Sequence, residues 1–258
     1  MLGIHRAVCG RTLATSLLLG ALAPASNAAM ARPRTGDPTA ADAAGDRGLS
    51  DEEVLRRFLA RPDEPVRSYR ARRHLEITSG ALGKKAWMDV RVELDAERGF
   101  RYAVTAAGGS EMLQERILHR VLRTEQEVYA AGTNARTALT AENYTFVPDG
   151  RSAEGLVSLA ATARRREVGL LNGRFLVTPD TADLVEVAGT MAKGPSFWIP
   201  RVDLLKRYAR IQGHRVNVRV ESISHVRVLG ESRFTMTSVY EHIDGEPIAS
   251  PALARFSP

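Results

Sequence analysis

Residues 69–104 read YRARRHLEITSGALGKKAWMDVRVELDAERGFRYAV, and the period of this stretch decides the fold. Tyr69, Ala71, Leu75 and Ile77 alternate with Arg70, Arg72, His74 and Glu76. Ala86, Met88, Val90, Val92 and Leu94 alternate with Trp87, Asp89, Arg91, Glu93 and Asp95, and Phe100, Tyr102 and Val104 continue the pattern. Successive side chains of a strand point to opposite faces, so a period of two gives one apolar and one polar face. Ser79-Gly80 and Ala96-Glu97-Arg98-Gly99 supply turn chemistry between the runs. The stretch predicts an antiparallel meander with one buried face.

On the C-terminal side the period changes. Met112, Leu113, Ile117, Val121 and Val128 recur at helical spacing between Ser110 and Ala131, with Gly132 as a stop. This helix is long enough to cover a sheet face. Strand patterns then resume at 144–147, 155–161, 167–171, 175–178, 184–192, 202–211, 216–228 and 233–240. Pro148-Asp149-Gly150 and Leu171-Asn172-Gly173 read as turns, the second as an Asn-Gly hairpin tip. On the N-terminal side, Ser50-Asp51-Glu52-Glu53 is a capping box. Val54, Leu55, Phe58 and Leu59 follow at helical spacing until Pro62. The fold class is mainly β with two helices (α+β). Some eleven strands without βαβ alternation make a curled antiparallel sheet, an incomplete β-barrel covered by helices.

The ends read differently. His5, Arg6 and Arg11 precede an uncharged run containing Leu17-Leu18-Leu19, and Ser26-Asn27-Ala28 places small residues at a cleavage site. Residues 1–28 thus read as a secretory signal peptide cleaved near Ala28. Residues 29–48 read as a disordered linker, 49–243 as a single folded domain, and 244–258 as a flexible tail. A bacterial product of this kind is exported and unlipidated, which points to the periplasm.

The 258 residues are 44% hydrophobic and 26% charged, the balance of a globular chain. Cys9 is the single cysteine and lies in the leader, so the remainder has no disulfide, thiol nucleophile or thiolate metal site. The formal charge of +6 falls to +4 without Arg6 and Arg11. That excess is spread thinly. The densest cluster, Arg164-Arg165-Arg166, reads as a solvated strand or turn, and no nucleic-acid partner is expected.

Catalytic motifs are missing: the sequence has no nucleophile elbow, zinc-protease helix, phosphate loop or dinucleotide fingerprint. His74, His119, His214, His225 and His242 are scattered and read as surface residues, so neither a metal nor a cofactor is expected. Asp180 and Asp183 read as turn residues rather than an acid/base pair. The most unusual segment is Lys193-Gly194-Pro195-Ser196-Phe197-Trp198-Ile199-Pro200-Arg201-Val202-Asp203. Phe197 and Trp198 either present apolar area to a partner or lipid, or plug one end of the barrel. Arg201 and Asp203 share a strand face and are placed to pair.

Taken together, an export leader, an amphipathic helix, an alternating meander, a middle helix and a second run of strands resemble the LolA-like group of bacterial envelope proteins. Residues 173–181 (GRFLVTPDT) with Leu184-Val185-Glu186-Val187 look like that group's hairpin, and Lys193 to Asp203, Tyr208 and Val216–Glu221 resemble an outer-membrane lipoprotein-sorting-like subset. The resemblance spans about residues 50–243. It implies an apolar interior that holds acyl chains.

The inward faces carry Met88, Val90, Val92, Phe100, Tyr102, Phe175, Val177, Phe234 and Met236, which make either a packed core or a lipid cavity. The leading expectation is a non-enzymatic periplasmic carrier of lipid or lipoprotein acyl chains. The alternative is an envelope-stress sensor or interaction module that meets an envelope membrane protein through Phe197 and Trp198. The oligomeric state is not legible.

Overall fold

The computed structural model describes residues 49–61, 66–131, 137–228 and 230–248. The leader and linker expected at 1–48, and the last ten residues, lie outside them.

Helix α1 (Asp51–Ala60) starts where the capping box places it, with the Glu53 amide donating to Ser50 Oγ at 3.2 Å. Its apolar stripe buries Val54 and Phe58. The meander follows as β1 (Tyr69–Ser79), β2 (Lys84–Asp95) and β3 (Gly99–Gly109). The covering helix is a short α2 (Glu111–Leu113), a π-helical turn (Gln114–Leu118) and α3 (His119–Ala131). Then come β4 (Tyr144–Arg151), β5 (Val157–Ala163), β6 (Leu171–Val177), β7 (Leu184–Met191), β8 (Arg201–Ile211), β9 (His214–Val226), β10 (Gly230–Ile243) and a two-residue β11 (Glu246–Pro247).

All strands belong to one antiparallel sheet in the order β3-β2-β1-β10-β9-β8-β7-β6-β5-β4, with β11 beside β10. β3 and β4 are its two free edges, so the sheet is not closed into a barrel. The meander joins the later strands through β1 against β10, with Leu75 opposite Met236 and Ile77 opposite Phe234. The helical segment therefore carries the chain from one edge strand to the other. α3 packs on β3, the π-helical turn on β1 and β2, and α1 on β4 and β5. Both covers lie on the apolar face, which holds one continuous core.

Three features differ from the sequence reading. Asn172-Gly173 is not a hairpin tip: it lies inside β6, with Gly173 opposite Gly189 of β7, so the two strands expected at 167–171 and 175–178 are a connection followed by the single strand β6. At both glycines a side chain would collide with the facing backbone, Ala188 O for Gly173 and Asn172 O for Gly189. Gly173 answers close strand approach instead of a turn. Second, Pro148-Asp149-Gly150 lies within edge strand β4, and the turn follows at 152–155, where the Gly155 amide donates to Ser152 O. Proline is tolerated there because an edge strand has unpaired donors. Third, the segment expected to fray begins tied down. Asp244 Oδ1 accepts from the Arg67 and Ser68 amides at 2.8 Å each, and the Ile248 amide donates to Glu241 O.

Candidate functional site

The nine residues expected on the inward face all lie on it or at its margin. Met88, Val90, Val92, Phe100, Phe175, Val177, Phe234 and Met236 are buried in one cluster, and Tyr102 packs half-buried against it. Burial thins toward the free edge. Phe100 is 2% exposed, while Val104, further along β3, is 41% exposed. The helices cover the start of β3 and leave its middle to solvent. Within that core Phe175 belongs to an aromatic group under α1, with Tyr144 at 5.6 Å and Phe146 at 5.3 Å between ring centroids, and Phe146 meets Phe58 of α1 at 5.6 Å.

Within this aliphatic face sits a polar island. Arg73 of β1 points inward and is buried against Glu125 of α3. Its Nη1 donates to Glu125 Oε2 at 2.6 Å and its Nη2 to Oε1 at 3.1 Å, and Nη2 also donates to the Tyr69 hydroxyl at 3.0 Å. Two parallel bonds from a planar guanidinium fix direction as well as charge. The Phe100 ring lies 5.5 Å from the same guanidinium, and Tyr129 stacks on Phe100. Tyr240, across β10, meets Tyr69 edge-on at 5.5 Å. Burial pushes the ionisation of Tyr69, Tyr129 and Tyr240 to higher pH, that of Tyr240 up to about 12, so they stay neutral hydroxyls.

Lys206 of β8 also faces inward and is buried. Burial pulls its ammonium down to about 8, and the Glu125 charge opposes that shift. Around the island are two hydroxyls and one nitrogen with no hydrogen-bond partner among the described residues: Arg73 Nε, Thr124 Oγ1 and Ser238 Oγ. Ser238 stands directly opposite Arg73 across the β1–β10 ladder, and Thr124 precedes Glu125 on α3. Each unsatisfied buried group costs roughly 1–3 kcal/mol unless water or a ligand pairs with it.

Sequence reasoning did not find this island, although a signal was present. Strict alternation from Tyr69 to Ile77 puts Arg73 on the apolar face, and alternation from Val202 to Tyr208 does the same for Lys206.

The opposite face is polar. It holds a cleft of about 500 Å³ lined by Arg72, His74, Asp89, Arg91, Thr105 and Thr237, among others. There His74 Nδ1 lies 2.6 Å from Asp89 Oδ1, and the His74 ring stacks on Trp87. His119 pairs with Glu115, His214 with Asp244, and His225 with Asp203 and Glu231. These pairs sit on different parts of the fold, and among the described residues no three His, Cys, Asp or Glu side chains form a metal site. Asp180 and Asp183 lie in the β6–β7 turn. Asp183 accepts from Thr181 Oγ1 and pairs with Arg61 and Arg210, which makes it a structural anchor.

Phe197 and Trp198 lie on the β7–β8 connection and are 69% and 47% exposed. The segment is held firmly for a loop. Ser196 bridges Ile199, Ile199 is buried, and the backbone at Pro200 closes on Gly194 so tightly that any side chain there would clash. Arg201 Nε reaches Asp203 Oδ1 at 3.0 Å, as its spacing predicted. In the β5–β6 connection, Arg164 Nε donates to Ala141 O at 2.8 Å, and Arg165 pairs with Glu167. Among the described residues no helix is long and apolar enough to cross a membrane.

No family model and no curated protein matches the chain. Among solved structures it is similar to a LolA superfamily protein from Nitrosomonas europaea, at 11% identity over 76% of this chain and 93% of that one, with a TM-score of 0.36. A DUF1329 family protein from Desulfovibrio piger is 11% identical over 73% of this chain and 89% of that one, with a TM-score of 0.32. Lipovitellin, in a structure described for its lipid–protein interactions, is 9% identical over 72% of this chain and 26% of that one, with a TM-score of 0.29. An open, curled antiparallel sheet with helices on its inner face is the layout that the sequence resemblance implies.

Proposed function

We propose that this chain is an exported, periplasmic carrier that holds a lipid or lipoprotein acyl chain between its curled sheet and the helices covering it. The observation that carries the reading is the chemistry of the inner face. An aliphatic surface contributed by β1, β2, β9 and β10 surrounds a buried polar island with unpaired hydrogen-bonding atoms. An amphiphile matches both parts, its chain on the aliphatic surface and its head-group oxygens on Arg73 Nε and Ser238. Chain burial is worth about 0.8 kcal/mol per CH₂, so non-covalent holding suffices and no bond need be made or broken.

The cover supports the same reading. A helix interrupted by a π-helical turn, common at functional sites, lies over the inner face where a second sheet would seal it permanently. Met88, Val90, Val92, Phe100, Tyr102, Phe234 and Met236 form the chain-facing wall in this proposal, and Phe175 and Val177 extend it under α1.

Native mass spectrometry with organic extraction of the protein purified from its own envelope tests the reading. A stoichiometric co-purifying lipid is the expected result. An empty protein that also fails to take up a fluorescent fatty acid would overturn it, and the inner face would then be a filled core.

A further inference from the structure

Antiparallel pairing sorts the hairpin connections onto two rims of the sheet, and the sorting separates charge. One rim holds the β1–β2, β5–β6, β7–β8 and β9–β10 connections. They and their flanking residues carry Lys84 and Lys85, the triplet Arg164 to Arg166, Lys193 and Arg227, against Glu167 and Glu231. The helical connection adds Glu111 and Glu142 to this rim. The opposite rim holds the β2–β3, β4–β5, β6–β7, β8–β9 and β10–β11 turns. There the seven acids Asp95, Glu97, Asp149, Glu154, Asp180, Asp183 and Asp244 outnumber the four arginines Arg98, Arg151, Arg210 and Arg215.

Exposed apolar side chains follow the basic rim. Leu82 in the β1–β2 turn is 40% exposed, and Val228 at the β9–β10 apex is 94% exposed, beside Phe197 and Trp198. The last two loops are joined: the Arg227 amide donates to Trp198 O at 2.8 Å, and the Arg227 guanidinium lies 4.4 Å from the Phe197 ring centroid. Phe197 and Trp198 meet edge to face at 5.5 Å. Val228 is the least expected residue. Its φ is 68°, a left-handed conformation that a β-branched side chain resists and that Gly or Asn adopts freely. Both backbone strain and full exposure disfavour valine there, so the apolar group has a use outside the fold.

We infer that the basic rim docks on an anionic bilayer surface, with Phe197, Trp198 and Val228 entering the headgroup layer and the lysines and arginines meeting lipid phosphates. Aromatic and aliphatic tips ringed by basic residues suit that interface on both counts. The charge separation between rims turns the molecule basic end first. The inference goes beyond acyl-chain carriage and does not depend on it, since docking uses no residue of the inner face.

The experiment is co-sedimentation of the full mature chain with phosphatidylglycerol vesicles and with phosphatidylcholine vesicles, at low salt and at about 1 M salt, where the Debye length is ~3 Å. Binding to the anionic vesicles, weakened by salt, is expected. Lys84→Gln and Lys85→Gln should each lower it about fivefold. Val228→Asn should lower it while keeping or raising the melting temperature, which separates docking from folding. In a Trp87→Phe background, Trp198 is the one tryptophan left, and its emission should shift blue on binding. Equal binding to both vesicle types, no binding, or Val228→Asn and Phe197→Ser variants that bind like the parent would each overturn the inference. Capture of RNA or an acidic polypeptide in place of vesicles would do so too. Absence of an extracted lipid would count against the carrier reading alone.

Discussion

Arg73 and Glu125 join the sheet to its helical cover by a buried two-point ion pair, with bonds of 2.6 and 3.1 Å. Neither charge has water to fall back on, so each depends on the other. Removing one partner of a buried pair costs about 3–5 kcal/mol, while replacing both by apolar groups is often neutral or stabilising. Arg73→Leu and Glu125→Leu should therefore each lower the urea-unfolding free energy by about that amount, and the double variant should lie closer to the parent than either single one. Additive losses in the double variant would mean that the two side chains stabilise the fold separately.

Lys206 makes stability depend on pH in a defined direction. Its folded value of about 8 lies below its ordinary value near 10.5, so between these the unfolded chain binds more protons. Stability must then rise with pH across that window. Above about 10 the buried tyrosines reverse the slope, because Tyr240 and Tyr144 are pushed up to about 12 and the unfolded chain loses their protons first. Maximum stability is expected between pH 9 and 10 on the order of these two limits. Lys206→Met should remove the rise above pH 8 and leave the tyrosine-driven fall. Denaturation midpoints across pH 7 to about 11 would show it, and an unchanged rise in the variant would exclude Lys206 as its source.

How much was legible follows from what each element depends on. The meander and both helices rest on local periodicity, which survives in one sequence, and β1, β2, β3 and α1 appear close to where the pattern puts them. Pairing β1 with β10 rests on contacts across more than 150 residues, about which periodicity says nothing. Arg73 and Lys206 were readable as inward by parity, but their charge pointed outward, and only Glu125 on a distant helix explains Arg73. The basic rim was hidden for the same reason. Lys84, Arg166, Lys193 and Arg227 are far apart in sequence, and strand alternation gathers their loops.

Met88 and Val104 separate the two halves of the inner face. Met88 is fully buried where the helices cover β2, and Val104 is half-exposed where the cover has ended. Met88→Asp places a carboxylate in an apolar setting and should cost about 4–5 kcal/mol or prevent folding. Val104→Thr should stay within about 0.5 kcal/mol of the parent. Thermal and urea denaturation of both variants checks this. A stable Met88→Asp protein would mean that water reaches that wall.

Gly173 and Gly189 face each other across the β6–β7 ladder, and each would place a Cβ against the other strand's backbone. Backbone cannot yield as a flexible side chain does, so Gly173→Ala must push β6 and β7 apart or break the ladder locally. The alanine's lower unfolded-state entropy favours folding by only about 0.4–1 kcal/mol. Overpacking typically costs 1–3 kcal/mol, so a net loss of about 1–2 kcal/mol is expected. Faster amide exchange should accompany it at Asn172, Arg174, Ala188 and Thr190, the residues flanking the contact. Gly83 is the control, because no atom lies near its Cβ position and only its φ of 58° resists alanine. Gly83→Asn tolerates that conformation and should be nearly neutral. If Gly173→Ala matched Gly83→Asn in stability, close approach would not be the reason for glycine in β6.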